Sequence, residues 1–143
     1  MAPMWYALAF GILLPLVARM NETLSRVLGA LPGAWGVHAV GAVFGGIFLL
    51  PVLGREWMGQ VRVVPWWAWL GGVLGTGMVV LANASINRLG TAGFIAVSVA
   101  AQLAASAVLD HYGFPAGTPH PLSVMRVGGI LLLAAGAVLV VRG

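Results

Sequence analysis

The stretch Val63–Leu109, VVPWWAWLGGVLGTGMVVLANASINRLGTAGFIAVSVAAQLAASAVL, holds a single charged residue, Arg88. On either side lies an uncharged run, 63–87 and 89–109. Each supplies the roughly 20 residues that a helix needs to cross a hydrocarbon core about 30 Å thick. Arg88, Leu89 and Gly90 read as a tight turn between two crossings. Working outward, uncharged runs recur at 1–18, 27–54 and 127–141, the last lengthened if the turn with Ser123 and Arg126 joins it. The expectation is an all-α membrane protein in which residues 1–143 form a single domain of five transmembrane helices, at about 4–30, 35–53, 66–87, 91–109 and 123–141. Four spans with one interfacial helix is the alternative count.

Composition leads to the same solvent. With 61% hydrophobic and 7% charged residues, and a mean hydropathy of +1.02, the chain lacks the polar groups to cover a water-facing surface. An odd number of crossings has a further consequence: two copies joined end to end, without an extra helix, form inverted repeats. The net charge of +4 comes with seven arginines scattered between apolar spans, which points to lipid headgroups and away from nucleic acid. No cysteine is present, so disulfides and thiolate metal sites are excluded. The first 18 residues carry no basic residue and no small-residue cleavage site, so Met1 is expected to start the mature protein.

Local punctuation sets the expected boundaries. Pro15 should kink the first helix, the pair Pro32–Gly33 should stop it, Pro65 should open the third, and Ser123 can cap the fifth. The segment around Arg55, Glu56, Trp57 and Arg62 reads as a loop, as does 110–121 with its three prolines and two histidines. Five alternating spans put Trp5, Tyr6, Trp57, Trp66, Trp67, Trp69 and Tyr112 near one membrane face and Trp35 alone near the other. The arginines divide almost evenly, with Arg55, Arg62 and Arg126 on that first face and Arg19, Arg26, Arg88 and Arg142 opposite. So small a difference permits insertion in both orientations, and with it an antiparallel homodimer; a single orientation with the heavier side in the cytoplasm stays open.

Pairs of small residues four apart, Gly41/Gly45 and Gly71/Gly75, with Ala100, Ala101, Ala104 and Ala105, allow helices to approach closely. Polar residues within spans are costly, and so more informative. Arg19, Glu22 and Arg26 can form an ion-pair ladder on one helix face, near the far edge of the hydrocarbon. His38 and Asn83 are expected at the same level as Asn21 and Glu22, around one vestibule. Thr91, Ser98, Gln102, Ser106 and Asp110 repeat at helical spacing as a polar stripe that should face the protein interior or a wet cavity. Interhelical hydrogen bonding is the plain alternative for each of these residues alone. Asp110, His111 and His120 lack the helix-spaced ligand pair of a metal site, and no phosphate loop, nucleophile elbow or pair of acids occurs. Neither an enzyme nor a cofactor-binding protein is expected.

Several segments resemble one known family. They are Asn21–Gly41 with Leu24, Gly29 and His38-Ala39-Val40-Gly41, then 65–72 (PWWAWLGG), 88–92 (RLGTA), Gln102-Leu103, 109–113 (LDHYG), and finally 121–123 (PLS) with Arg126 and Gly129. Nearly end to end, the chain is similar to the YdcZ-like inner-membrane proteins of the drug/metabolite transporter superfamily. The resemblance implies a bacterial inner-membrane protein of five helices, corresponding to half of a ten-helix inverted-repeat transporter; it supplies no substrate. Small multidrug exporters of that superfamily use a glutamate in the middle of helix 1, where this chain has Leu14 and Pro15, with Glu22 two turns further on. That departure, and the two arginines beside Glu22, weigh against proton/cation antiport.

The expected function is transport of a small polar or amphipathic metabolite or drug by alternating access, with lipid, a small-molecule substrate and a second copy of the chain as partners. The substrate-binding candidates are Asn21, Glu22, His38, Asn83, Ser98 and Gln102. Glu22 would supply charge, the amides and Ser98 hydrogen bonds, and His38 an imidazole able to exchange a proton. A non-transporting accessory subunit or scaffold is the rival.

Overall fold

A computed structural model describes residues 2–114 and 117–143; Met1, and the loop positions 115 and 116, lie outside the described residues, as do the side chains of Ala2, Pro3, Val52, Arg55, Glu56 and Met58. Helix α1 (Ala2–Leu28) runs unbroken through Pro15. In lipid the backbone finds no water to replace its internal partners, so the helix persists around the one missing donor. It ends at Gly29, whose φ of 96° and ψ of 160° are open to glycine and strained for other residues. Gly29 N–H donates to Ser25 O at 2.9 Å, the last bond of α1, and Gly29 O accepts from Gly33 N–H at 2.9 Å, the first of α2 (Ala30–Leu49).

A single non-helical residue therefore joins the two helices. The sequence pattern placed this break at Pro32–Gly33 and the start of the second helix at 35. Pro32 instead sits in the first turn of α2, where backbone N–H groups have no intrahelical acceptor and a proline sacrifices nothing. The hairpin packs tightly at its closed end. An added Cβ at Gly33 would stand 2.5 Å from both Cα and Oγ of Ser25, and Ala34 beside it has 0% exposure. Here α1 and α2 touch backbone to backbone, the approach that only small residues permit.

Beyond α2 a short 3-10 turn, Leu50–Val52, is followed by a nine-residue helix, α3 (Arg55–Val63), where a loop was expected. Its alternation of arginines with Trp57, Val61 and Val63 suits a polar-apolar boundary. Pro65 then caps a 3-10 turn, Trp66–Trp69, that leads into α4 (Leu70–Tyr112). This 43-residue helix is interrupted at Gly90, with φ 70° and ψ 169°. The apolar stretch Trp66–Tyr112 spans 47 residues, about 70 Å at 1.5 Å per residue and more than twice a bilayer core. The interruption divides it into two lengths that each suffice for one crossing. With Met4–Leu28, Ala30–Leu49 and Val124–Arg142, this stretch makes four helices among the described residues that are long and apolar enough to cross a membrane.

The chain forms two compact units, Met1–Asn87 and Arg88–Gly143. In the second, residues 91–112 of α4 end in a paired C-terminal motif. Phe114 N–H donates to Leu109 O at 3.0 Å and Gly113 N–H to Asp110 O at 3.2 Å, with Gly113 at φ 64°. Helix α5 (Val124–Arg142) opens at Ser123, whose Oγ accepts from Arg126 N–H at 3.2 Å. Asp110 and Arg126 pair at 3.4 Å across the loop. At the other end of the pair, a Cβ on Gly93 would lie 3.5 Å from Val141 Cγ2.

Burial follows the logic of a lipid solvent. Among the described residues the buried apolar side chains are Ala18, Ala34, Ile86, Ala107 and Ala137, four of them alanines, while Ile12, Phe44, Leu81, Leu132 and many other large side chains face outward. Glu22, Ser25 and Asn83 are buried with the alanines. An interior smaller and more polar than the surface would be unstable in water and is the expected order in a bilayer. The protein is an all-α membrane protein. Gly33→Ala is expected to lower stability by about 1–3 kcal/mol, because the methyl meets Ser25 backbone. Gly41→Ala, where a Cβ meets nothing within 4 Å, should leave the thermal unfolding midpoint in detergent unchanged.

Candidate functional site

The inward face of α1 is set by helical spacing: Ala18, Glu22 and Ser25 are buried, with Leu14, Pro15 and Asn21 half-buried beside them. Arg19 and Arg26 fall to the flanks, 62% and 67% exposed, and reach back to the carboxylate. Arg19 Nη1 stands 3.7 Å from Glu22 Oε2 and Arg26 Nε 3.8 Å from Oε1, with Glu22 itself 4% exposed. The ladder read from the sequence is therefore formed. Both separations exceed hydrogen-bond length, so the pairing is Coulombic and each oxygen keeps its acceptor capacity.

One turn further along that face, Ser25 Oγ accepts a hydrogen bond of 2.6 Å from Asn83 Nδ2 on α4. Asn83 is 3% exposed, and its Oδ1 is buried without a partner. Ile86, one turn beyond on α4, is buried as well. Ser25 was not among the candidates from the sequence, because it sits unremarked inside the charged segment 19–26. Its spacing of three from Glu22 and seven from Ala18 was the signal that puts it on their face.

His38 occupies a different level. Its Nδ1 lies 2.9 Å from Ala34 O; a carbonyl only accepts, so Nδ1 carries the proton and donates. Nε2 is left toward α4, where a Cβ on Gly75 would stand 3.4 Å from it. Gly75 precedes Asn83 by eight residues, about 12 Å along the helix. The first unit thus joins Asn83 to Ser25, next to Glu22, with His38 two turns away along α4. Asn21 is half-buried and makes no side-chain hydrogen bond among the described residues.

In the second unit the polar stripe divides. Ser98 is half-buried and its Oγ donates to Ile95 O at 3.0 Å, within its own helix. Gln102 is exposed. Ser106, Asp110 and Arg126 line a groove of about 250 Å³ between residues 91–112 and α5. Two further grooves between these helices, about 400 and 470 Å³, are lined almost wholly by valine, alanine, leucine and isoleucine. Among the described residues no three histidine, aspartate or glutamate side chains come together as a metal site.

The family described as "Putative inner membrane exporter, YdcZ" matches residues 2–139. The chain belongs to that family. It is a multi-pass inner-membrane protein, and the family's description makes it a transporter of the drug/metabolite type in general terms. No curated protein and no solved structure matches the chain.

For a member of this family, Glu22 is the acid to test, and its contribution to stability should be small. Arg19 and Arg26 are largely exposed, so solvent screens their attraction to about 0–1 kcal/mol, and glutamine fills the same buried space without the cost of a buried charge. Glu22→Gln is expected to keep the protein folded and lower the unfolding midpoint by no more than a few degrees, as followed by circular dichroism in detergent.

Proposed function

We propose that the chain exports a small polar or amphipathic metabolite or drug by alternating access, working as an antiparallel homodimer whose two copies supply ten helices related by a two-fold axis in the membrane plane. The observation that carries this reading is the set Glu22, Ser25 and Asn83, buried beside Ala18, Ala34 and Ile86 in the first unit. Polar groups in a span are expensive unless they serve a path or a partner, and a carboxylate with two free acceptor atoms beside an amide oxygen without a donor is poised for a polar ligand. The family match to inner-membrane exporters supports transport and outward direction. Counting the helix interrupted at Gly90 as two crossings gives five, and that odd number, with the near-even division of arginines, three against four, supports opposed copies.

In this reading residues 1–143 act as one five-helix transmembrane domain. Glu22 supplies charge to the path, with Asn21 and Asn83 as amide partners. His38, with Nε2 free of its own helix, is a second polar station about 12 Å deeper along α4. Ser98 and Gln102 are candidates on their own helix. An accessory or scaffold role would need those two side chains only for helix contacts. The two functions therefore differ on whether residues 98 and 102 are wet.

Alanine substitution at Glu22 and Asn83 is expected to reduce flux in proteoliposomes at least tenfold with the fold intact; unchanged flux in both would remove the site assignment. Ser98→Cys and Gln102→Cys should react with a water-soluble thiol reagent in membranes, whereas a scaffold would protect both. C-terminal reporters active on only one side of the membrane are expected to give comparable signals from both sides. Signal from one side alone would eliminate opposed copies.

A further inference from the structure

The hydrogen bond between Ser25 and Asn83 leaves the amide half satisfied. Nδ2 donates to Ser25 Oγ at 2.6 Å, while Oδ1 is buried and meets no donor among the described residues. Turning the carboxamide over changes which atom is unmatched but not the number. Ser25 would then donate to Oδ1, and the amide nitrogen would have no acceptor. A contact that forms only by stranding one buried polar atom is weaker than its short distance suggests. When it parts, Oδ1 becomes free to take a donor.

The surroundings indicate which elements can separate. Ser25 is fixed to α2 by the backbone approach of Gly33 and by the one-residue connection at Gly29. Asn83 stands on α4, and this hydrogen bond is the one direct polar contact between α1 and α4 among the described residues. Around it lie Ile86 on α4 and Glu22 one turn back on α1, all buried. A contact sealed on both sides, yet internally unsatisfied, is what a reversible closure requires.

We propose that Ser25 and Asn83 form the latch that closes the transport path at the Glu22 end, and that on opening Asn83 Oδ1 accepts a hydrogen bond from a donor group of the cargo, a hydroxyl or an amine N–H. This rests on the reading of the chain as a transporter. It assigns Ser25 a positioning role: the serine holds the amide shut and releases it. The latch also makes opposite predictions for its two members. Ser25→Ala leaves both ends of the Asn83 amide unmatched while the path is closed, and so favours opening. Asn83→Leu removes the unmatched atom altogether, while the Ser25 hydroxyl can turn back to the carbonyl one turn earlier in its own helix, and so favours closure.

The natural absence of cysteine makes the test direct. Ala18→Cys places a thiol on the buried face of α1, seven residues before Ser25. Its rate of reaction with a membrane-impermeant methanethiosulfonate is read in vesicles opened to the reagent on both faces, with no substrate present. Adding Ser25→Ala is expected to raise the rate at least fivefold, adding Asn83→Leu to lower it below the parent, and combining both to return it to the Asn83→Leu level. Rates that rise together, as general loosening would cause, or that do not change, overturn the latch. If Ser25→Ala alone fails to insert, Asn83→Leu and the double variant decide: both slower than the parent supports the latch, and either one faster overturns it. Labelling needs no cargo, so its failure removes the latch and leaves transport to the flux assay, and a failed flux assay leaves the labelling result standing.

Discussion

The backbone contact between Gly33 and Ser25 is the constraint on which the first unit depends. Helices in a bilayer gain little by exchanging lipid neighbours for protein ones, so their association relies on fit and on polar contacts. Where a glycine lets one backbone lie against another, dispersion contacts are dense and short polar side chains can meet. Gly33 fixes where Ser25 stands, Ser25 meets Asn83, and the face that carries Ser25 also carries Glu22. A larger residue at position 33 would displace that whole sequence of contacts.

Electrostatics around Glu22 differ from those of an isolated membrane acid. Two guanidinium groups flank the carboxylate at 3.7 and 3.8 Å, near enough to offset its charge and too far to occupy its lone pairs. Their own heads are largely exposed, as expected of arginines that reach toward headgroups. The segment 19–26 therefore keeps a negative group inside without leaving a net negative charge in the span.

Spans were legible in the sequence because lipid demands length and apolarity, and nothing subtler. The five runs, the turn at Gly90 and the cap at Ser123 all follow from residues whose effect is local. The break between α1 and α2 was misplaced because Pro32 and Gly33 read as stops, when the residue that leaves helical space is Gly29 and Pro32 falls where a proline is harmless. Helix α3 was hidden by its brevity and its charges. In the site, the Arg19–Glu22–Arg26 ladder could be read from spacing alone. The Ser25–Asn83 bond could not, since it joins residues 58 positions apart and depends on which faces α1 and α4 turn to each other. The shared level of His38 and Asn83 was inferred from distance to helix ends, and the closed geometry of Gly29 shifts that count for α2.

The single-residue joint at Gly29 has a mechanical consequence. With no slack between them, α1 and α2 are geared: a turn of one about its axis must be matched by the other, and neither can slide by a fraction of a residue. Adding one residue to the joint would rotate α2 by about 100° and carry Gly33 off the serine it covers. Length at this corner is thus as strictly specified as residue type, and indels that surface loops elsewhere absorb would here reset the phase of a whole helix.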